Sequence, residues 1–331
     1  MKVLVTGGAG YIGSHVVRQL GAAGHDIVVF DNLSTGYPWA VTSGELVVGD
    51  LADREALDSL FESHHFEAVL HFAANIVVPE SVADPLKYYG NNTRNTLNLL
   101  GAINRHQVPY MVFSSTAAVY GMPDETVLVE DLPLAPINPY GASKMMSERM
   151  IMDVAAASSL NYVILRYFNV AGANPEGLLG QATPEATHLI KVASECATGV
   201  REGMSVFGTD YATRDGTCIR DYIHVEDLAR AHVMALDYMA GGGRSQVLNC
   251  GYGRGFTVRE VIEVVKRLSG VDFPVKEMER RAGDPAALMA DNRKITEVLG
   301  WQPDYDDLDT IVGTALSWEK TWQARLAGKH T

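Results

Sequence analysis

The chain has 331 residues, 47% hydrophobic and 20% charged, enough for a large buried core and unlike a disordered or membrane-type composition. Its 40 acidic and 27 basic residues leave a net charge of −13, so no nucleic-acid surface is expected, since that needs clustered Lys and Arg. Cys196, Cys218 and Cys250 are scattered with no CxxC pair, and the adjacent His64 and His65 read as solvated surface, so reduced thiols and no metal are expected.

Strand-like sequence begins at residue 2, too soon for a signal peptide, and no long uncharged run suits a membrane span. No membrane association and a cytoplasmic location are therefore expected. Short β-branched runs at 3–6, 27–30, 46–48, 68–72, 110–114 and 162–165 alternate with helical patterns at 11–23, 53–64, 85–106 and 140–157. Near-continuous apolar strands, each followed by a helix, indicate a parallel sheet covered on both faces, a doubly wound α/β fold of Rossmann type. Beyond about residue 170 the rhythm breaks. A Gly/Pro/Asn-containing loop at 174–184 leads to helices predicted over 187–197, 225–239, 257–268 and 308–327. This predicts a dinucleotide-binding domain over 1–170 and a smaller mixed C-terminal lobe over 171–331, closing over the carboxyl edge of the sheet. Whether the two exchange strands stays open.

Gly7-Gly8-Ala9-Gly10-Tyr11-Ile12-Gly13 follows the first strand and opens the first helix. Missing Cβ atoms at Gly7 and Gly10 let the backbone turn tightly against a pyrophosphate, and Gly13 is expected to let the helix pack on the sheet. Asp31 ends the second strand. A carboxylate there accepts from the adenosine ribose hydroxyls and repels a 2′-phosphate, so NAD is favoured over NADP.

Tyr140 and Lys144 stand at i and i+4 near the start of a predicted helix, so a phenol and an ammonium share one face. A free tyrosine is a poor base at neutral pH, and a nearby ammonium with an oxidised nicotinamide favours its phenolate. Thr116, in Phe113-Ser114-Ser115-Thr116 at a strand's carboxyl end, can bridge a substrate hydroxyl and Tyr140. The alternative for its hydroxyl is a bond to its own loop backbone.

TGGAGYIGSH (6–15), FDNLSTG (30–36), VGDL (48–51), HFAA (71–74), FSSTAAVYG (113–121), PYGASK (139–144), LRYFNVAGA (165–173), DGTCIRDYIHVEDLA (215–229) and RRAGDPAALMAD (280–291) together resemble the extended short-chain dehydrogenase/reductases, and within them the UDP-sugar 4-epimerases. The similarity covers essentially the whole chain. It implies that Tyr11, Ile12, Asp31, Asn32, Leu33, Ser34, Thr35, Gly36, Asp50, Leu51, Phe72, Ala73, Ala74, Asn75, Ile76 and Asn91 line NAD, with Phe168 beside the nicotinamide. It implies a catalytic group of Thr116, Tyr140 and Lys144. Asn169, His188, Leu189, Phe207, Arg220, Tyr222, Arg281 and Asp284 match positions that hold the UDP-sugar, the two arginines suiting a diphosphate.

The reaction so implied interconverts UDP-glucose and UDP-galactose through a transient 4-keto sugar, with NAD regenerated in each turnover. A homodimer is implied as well, with the helices of 85–106 and 140–157 pairing across a two-fold axis. Three positions depart from the pattern: Thr116 replaces the more usual Ser, Ile76 stands where some members have Lys, and Leu288 replaces a large gating Tyr. The smaller Leu288 leaves room for a 2-acetamido group, so UDP-GlcNAc and UDP-GalNAc are further expected substrates. UDP-glucuronate and UDP-pentoses stay open as alternatives. A 4,6-dehydratase would need an acid and a base where Ala117 and Ala118 stand. A non-catalytic NAD-binding protein would be expected to lack Tyr140 or Lys144.

Overall fold

The computed structural model describes residues 1–184, 186–281 and 283–328. In chain order the first half runs β1 (Lys2–Thr6), α1 (Tyr11–Ala22), β2 (Asp26–Asp31), β3 (Glu45–Val48), α2 (Arg54–Ser63), β4 (Ala68–His71), α3 (Val78–Ala83), α4 (Pro85–Tyr88), a π-helical turn (Tyr89–Arg94), α5 (Asn95–Arg105), β5 (Tyr110–Ser114), β6 (Val127–Leu128), α6 (Pro139–Ala156) and β7 (Asn161–Tyr167). The second half runs β8 (Asn169–Ala171), α7 (Leu189–Ala197), β9 (Met204–Phe207), β10 (Ile219–His224), α8 (Val225–Ala240), β11 (Gln246–Cys250), β12 (Gly255–Thr257), α9 (Val258–Ser269), β13 (Val275–Met278), β14 (Ala287–Ala290), α10 (Arg293–Leu299) and α11 (Leu308–Gly328).

The large sheet has seven parallel strands in the order β3-β2-β1-β4-β5-β7-β11. The order in which strands are added reverses between β1 and β4, the switch point at whose carboxyl ends such a sheet opens a crevice. Side chains alternate across each strand and both faces are apolar, as a doubly covered parallel sheet requires. Val3 and Val5 pack toward α1 and α8 with Val16, Val17, Leu20 and Leu236. Leu4 faces the opposite layer with Leu57, Leu99, Ile103 and Ile151.

The six strands expected in the first half all occur, within two residues at each end. The four helices expected in the second half also occur, as α7, α8, α9 and α11, within two residues at each end, but strands that the helical reading did not anticipate lie between them. β11 and α8 return to the large sheet and its core. Two small sheets also appear, β12-β10-β14-β6 with β8 against β10, and β13-β9. Their strands are two to six residues long, too short for a period-2 pattern to register. β10 even carries Arg220, Asp221 and His224, since its polar groups are satisfied by neighbouring loops rather than by solvent. The helix expected over 85–106 is also broken, by the π turn at Tyr89–Arg94. Among the described residues no helix is long and apolar enough to cross a membrane.

Candidate active site

The glycine loop leaves β1 at the carboxyl edge of the sheet. Gly7 has φ +73°, and a Cβ there would lie 2.6 Å from the Ala73 backbone nitrogen, so β1 and the strand-end of β4 approach as only glycine allows. The close contact with the sheet is made by Gly8 rather than by Gly13: a Cβ on Gly8 would meet Val29 at 2.8 Å and Val17 at 3.1 Å. Gly13 instead lies against the loop itself, 2.3 Å from the Gly7 carbonyl oxygen by the same construction. Gly10 caps α1 with no side chain to occupy the first-turn N–H groups. This cradle fits a pyrophosphate, with backbone donors and the positive end of α1 facing it.

Asp31 is buried at the end of β2 and accepts from Ala9 N (3.0 Å) and Leu33 N (2.8 Å). Burial pushes its carboxyl above the ordinary range, and those two bonds oppose the rise. The Leu33 bond supports a left-handed backbone (φ 58°) at that residue, and Ser34 N donates in turn to Asn32 Oδ1. Asn32 also reaches Asp50 Oδ2 (2.8 Å), and Gly36 lies against Ala9. Residues 31–36, Asp50 and the glycine loop therefore form one hydrogen-bonded rim, with Thr35 exposed on it and Leu51 buried beneath.

Across the crevice, Phe72 packs its ring on His232, Ala73 lies against Gly7, and Ala74 is half-buried. Asn75 is fixed by Asn92, which accepts from its N–H and donates to its carbonyl. Asn91 bonds the same Asn92, and Ile76 is 40% exposed. The Tyr11 hydroxyl is taken by the Gly172 carbonyl (2.6 Å), which ties α1 to the segment after β8.

Asn138 caps α6 by accepting from Gly141 N (2.8 Å), with Pro139 in the first turn, and this sets Tyr140 at the helix start. Tyr140 is 7% exposed, packed edge-on to Tyr88 and hydrogen-bonded to Thr116. Burial pushes its phenol above the ordinary value, and the Thr116 bond pulls it back. Thr116 Oγ1 also accepts from Ala118 N (3.1 Å), so the bond to its own loop backbone is made, and its hydroxyl proton is still free to be donated elsewhere.

Lys144, 3% exposed, donates to the Ser114 carbonyl (2.9 Å) and lies 4.9 Å from the Phe113 ring centre. Burial brings it down to about 7, with Glu148 acting the other way. His71 sits behind the pair, between Thr6 Oγ1 (2.6 Å) and Thr96 Oγ1 (2.9 Å). Because Thr96 donates to Asn92 O, it accepts from His71 Nε2, which places the single imidazole proton there. Burial and the Lys144 charge hold this imidazole neutral, its pKa lowered to about 3.

Sequence reasoning missed Ser115, Glu148 and Arg166. Glu148 and Arg166 form a buried ion pair (2.7 Å), and Ser115 Oγ donates to Glu148 (2.5 Å). The signal available was a lone arginine inside the apolar strand Asn161–Tyr167 and a glutamate one turn beyond Lys144.

The expected sugar-nucleotide residues fall into two connected groups. Asn169, His188, Leu189 and Tyr222 line one pocket beside α7 and α11. Gln181 holds the His188 ring at 2.9 Å, and Asn169 donates to the Asp221 carbonyl. Arg220 and Tyr222 share one face of β10, Asn169 pairs with Tyr222, and Leu288 pairs with Arg220. Arg220 donates twice from Nη1, to Ile219 O and Pro285 O, and once to Asp284 (3.4 Å). Of its five donors, Nε–H and one Nη2–H have no partner among the described residues. Arg281 stacks 3.7 Å above the Phe207 ring at the exposed rim, and Phe168 shares an apolar cluster with Leu288 and Ala117. Ala282, in the same segment, lies outside the described residues. Cys196, Cys218 and Cys250 are free and buried, and among the described residues no His/Cys/Asp/Glu group is arranged to hold a metal.

A family model described as the NAD dependent epimerase/dehydratase family matches residues 3–251. The chain is 56% identical to the UDP-glucose 4-epimerase of Azospirillum brasilense, over 97% of this chain and 92% of that one. The solved UDP-glucose 4-epimerase of Brucella ovis, in complex with NAD, superposes with a TM-score of 0.93 at 47% identity, covering 95% and 97% of the two chains. The UDP-Glc/GlcNAc 4-epimerase of Campylobacter jejuni is 51% identical, with a TM-score of 0.86 over 97% and 99%.

Proposed function

The chain belongs to the NAD dependent epimerase/dehydratase family, and from that premise we propose that it is an NAD-dependent enzyme interconverting UDP-glucose and UDP-galactose. The observation that carries the reading is the juxtaposition of Tyr140, Thr116 and Lys144 at the carboxyl end of β5, two strands from the glycine cradle with β4 between. On this reading residues 1–170, joined by α8 and β11, hold NAD, and the rest of the second half closes over the sugar nucleotide.

Bound in this cradle, NAD supplies a hydride acceptor for C4 of the sugar and a positive charge near the phenol. The protein does the proton work. Tyr140 Oη takes the C4 hydroxyl proton and later returns it, and Thr116 donates to that oxygen while it is anionic. Lys144, with two donors left after Ser114, stabilises the anion electrostatically. Arg220 and Arg281 hold the diphosphate, so the 4-keto sugar can turn about its link and present its other face. Asn169, His188, Leu189 and Tyr222 hold the nucleotide end. Phe168 and Leu288, side by side, bound the space in which the sugar turns.

The test is conversion of UDP-galactose to UDP-glucose with no net change in NAD. Tyr140→Phe is expected to lower kcat by at least about 100-fold while NAD stays bound; unchanged turnover would remove Tyr140 from the reaction. Acetamido sugars belong in the same assay, because Leu288 is smaller than a tyrosine and the Campylobacter jejuni relative is described as acting on both UDP-Glc and UDP-GlcNAc. Cytoplasmic location and a homodimer belong to this reading too. The homodimer would be built on the faces of α4, α5 and α6, where Leu86, Leu97 and Met146 are exposed.

A further inference from the structure

Lys144 carries its charge into a place with little water. Its side chain is buried on α6, and the protein offers its ammonium one oxygen, the Ser114 carbonyl. An ammonium so placed loses its proton unless a negative charge stands near it. The groups facing the pair from every neighbouring element can be named. His71 on β4 is neutral. Tyr88 on α4 and Tyr167 on β7 are phenols that burial keeps protonated. The ionised group acting on Lys144 is Glu148, one turn further along α6.

Glu148 is 1% exposed and fully engaged. Arg166 on β7 bonds both its oxygens, through Nε at 3.1 and 3.2 Å and through Nη2 at 2.7 Å. Ser115 Oγ donates to Oε1 at 2.5 Å. Ser115 lies between the two residues that touch the reacting pair: the Ser114 carbonyl accepts a hydrogen bond from Lys144, and Thr116 meets Tyr140. Three consecutive residues at the end of β5 are thus held from opposite sides, by the reacting groups in front and by Glu148 behind. Arg166 extends the anchor, donating from Nη1 to Tyr120 OH and Glu130 O, while Tyr120 reaches Asn249 on the edge strand β11.

We propose that Glu148 is a positioning residue for proton transfer: through Ser115 it fixes the Ser114–Thr116 strand end, and from one turn along α6 it sets a negative charge on the face that carries Lys144. The inference rests on the roles given above to Tyr140 and Lys144. A purely structural ion pair would need no particular sign toward Lys144, whereas this role requires the negative member to be the nearer one. Glu148 meets this from α6 itself, four residues on from Lys144 and on the same helical face, whereas Arg166 comes from β7 and is paired to the Glu148 carboxylate.

The test compares the NAD-containing wild type with Glu148→Gln, Glu148→Asp and the double variant Glu148→Gln/Arg166→Met. Two readouts are taken: the pH profile of UDP-galactose conversion, and NMR titration of the Lys144 ε-carbon, assigned by its loss in Lys144→Met. In Glu148→Gln the alkaline limb of kcat and the ε-carbon midpoint are both expected to move to lower pH by about one unit or more. KM should stay within about twofold of wild type. Glu148→Asp restores both midpoints toward wild type. If Glu148→Gln does not fold, the double variant, which strands no buried charge, carries the same expectation. An ε-carbon midpoint unchanged in the folded neutral variant overturns the proposal. A wild type that leaves UDP-galactose unconverted would overturn the functional reading instead, and the NMR titration would still decide the role of Glu148.

Discussion

Thr116 shows how one hydroxyl serves structure and chemistry together. By accepting the Ala118 N–H it caps the turn Ala117–Tyr120, and the same hydroxyl lowers the Tyr140 phenol's pKa against the effect of burial. Removing the oxygen while keeping the shape separates the two jobs. Thr116→Val is expected to lower kcat about 100-fold with little change in KM, because the lost bond matters when the phenol is anionic. Thr116→Ser should stay near wild type. A valine variant with wild-type kcat would take Thr116 out of the proton path.

At the scale of elements, the π turn Tyr89–Arg94 between α4 and α5 decides where the cofactor rim ends. An uninterrupted α-helix would continue the i to i+4 ladder through these residues. The wider turn instead presents Asn92, 2% exposed, to both backbone groups of Asn75 and to Ser143 on α6. That one side chain joins the segment after β4 to α6. Asn92→Ala removes the partner of a part-buried N–H and carbonyl on Asn75 and of Ser143 Oγ. It is expected to cost about 2–3 kcal/mol and to lower the NAD retained per chain after gel filtration. Full NAD retention with unchanged melting temperature would mean that Asn75 is held by other contacts.

For the molecule as a whole, buried imidazoles couple the fold to pH. Burial lowers His71 to about 3, and His224 and His232 to about 4 each. Unfolded, each would titrate near ~6.5. Below that pH the unfolded chain takes up protons that the folded chain refuses, so the contribution of these residues to stability is complete above ~6.5. It is lost as pH falls toward their folded values. The three together give a slope of about 4 kcal/mol per pH unit between ~6 and ~4. Urea denaturation at steps across this window checks it, and a midpoint flat from pH 7 to 5 would contradict it. Assembly acts at the same scale. Leu86, at 80% exposure, Leu97 and Met146 are exposed apolar side chains on α4, α5 and α6. Leu97→Glu with Met146→Glu is expected to convert a dimer to monomers in analytical ultracentrifugation. A wild type already monomeric at micromolar concentration would end that assignment.

The parallel sheet, the glycine loop with Asp31, and the Tyr140–Lys144 pair were all legible in the sequence, because each is a local signal. Strand alternation, a glycine spacing and an i, i+4 pair survive in any single stretch of chain. The resemblance added the substrate residues, and the structure draws these into two adjoining groups. Other features depend on partners far apart in the chain. Residues at 115, 148 and 166 meet behind the catalytic pair, Asn92 clasps Asn75, and β11 with α8 rejoins a sheet begun at residue 2. The short strands of the second half were illegible for the same reason, since neighbouring loops satisfy their polar groups. Thus the sequence by itself determined the chemistry at hand and the layering that carries it, through periodicity and spacing. Only the tertiary structure decided which buried charges stand next to that chemistry, because burial and pairing are properties of chain crossings and not of any one segment.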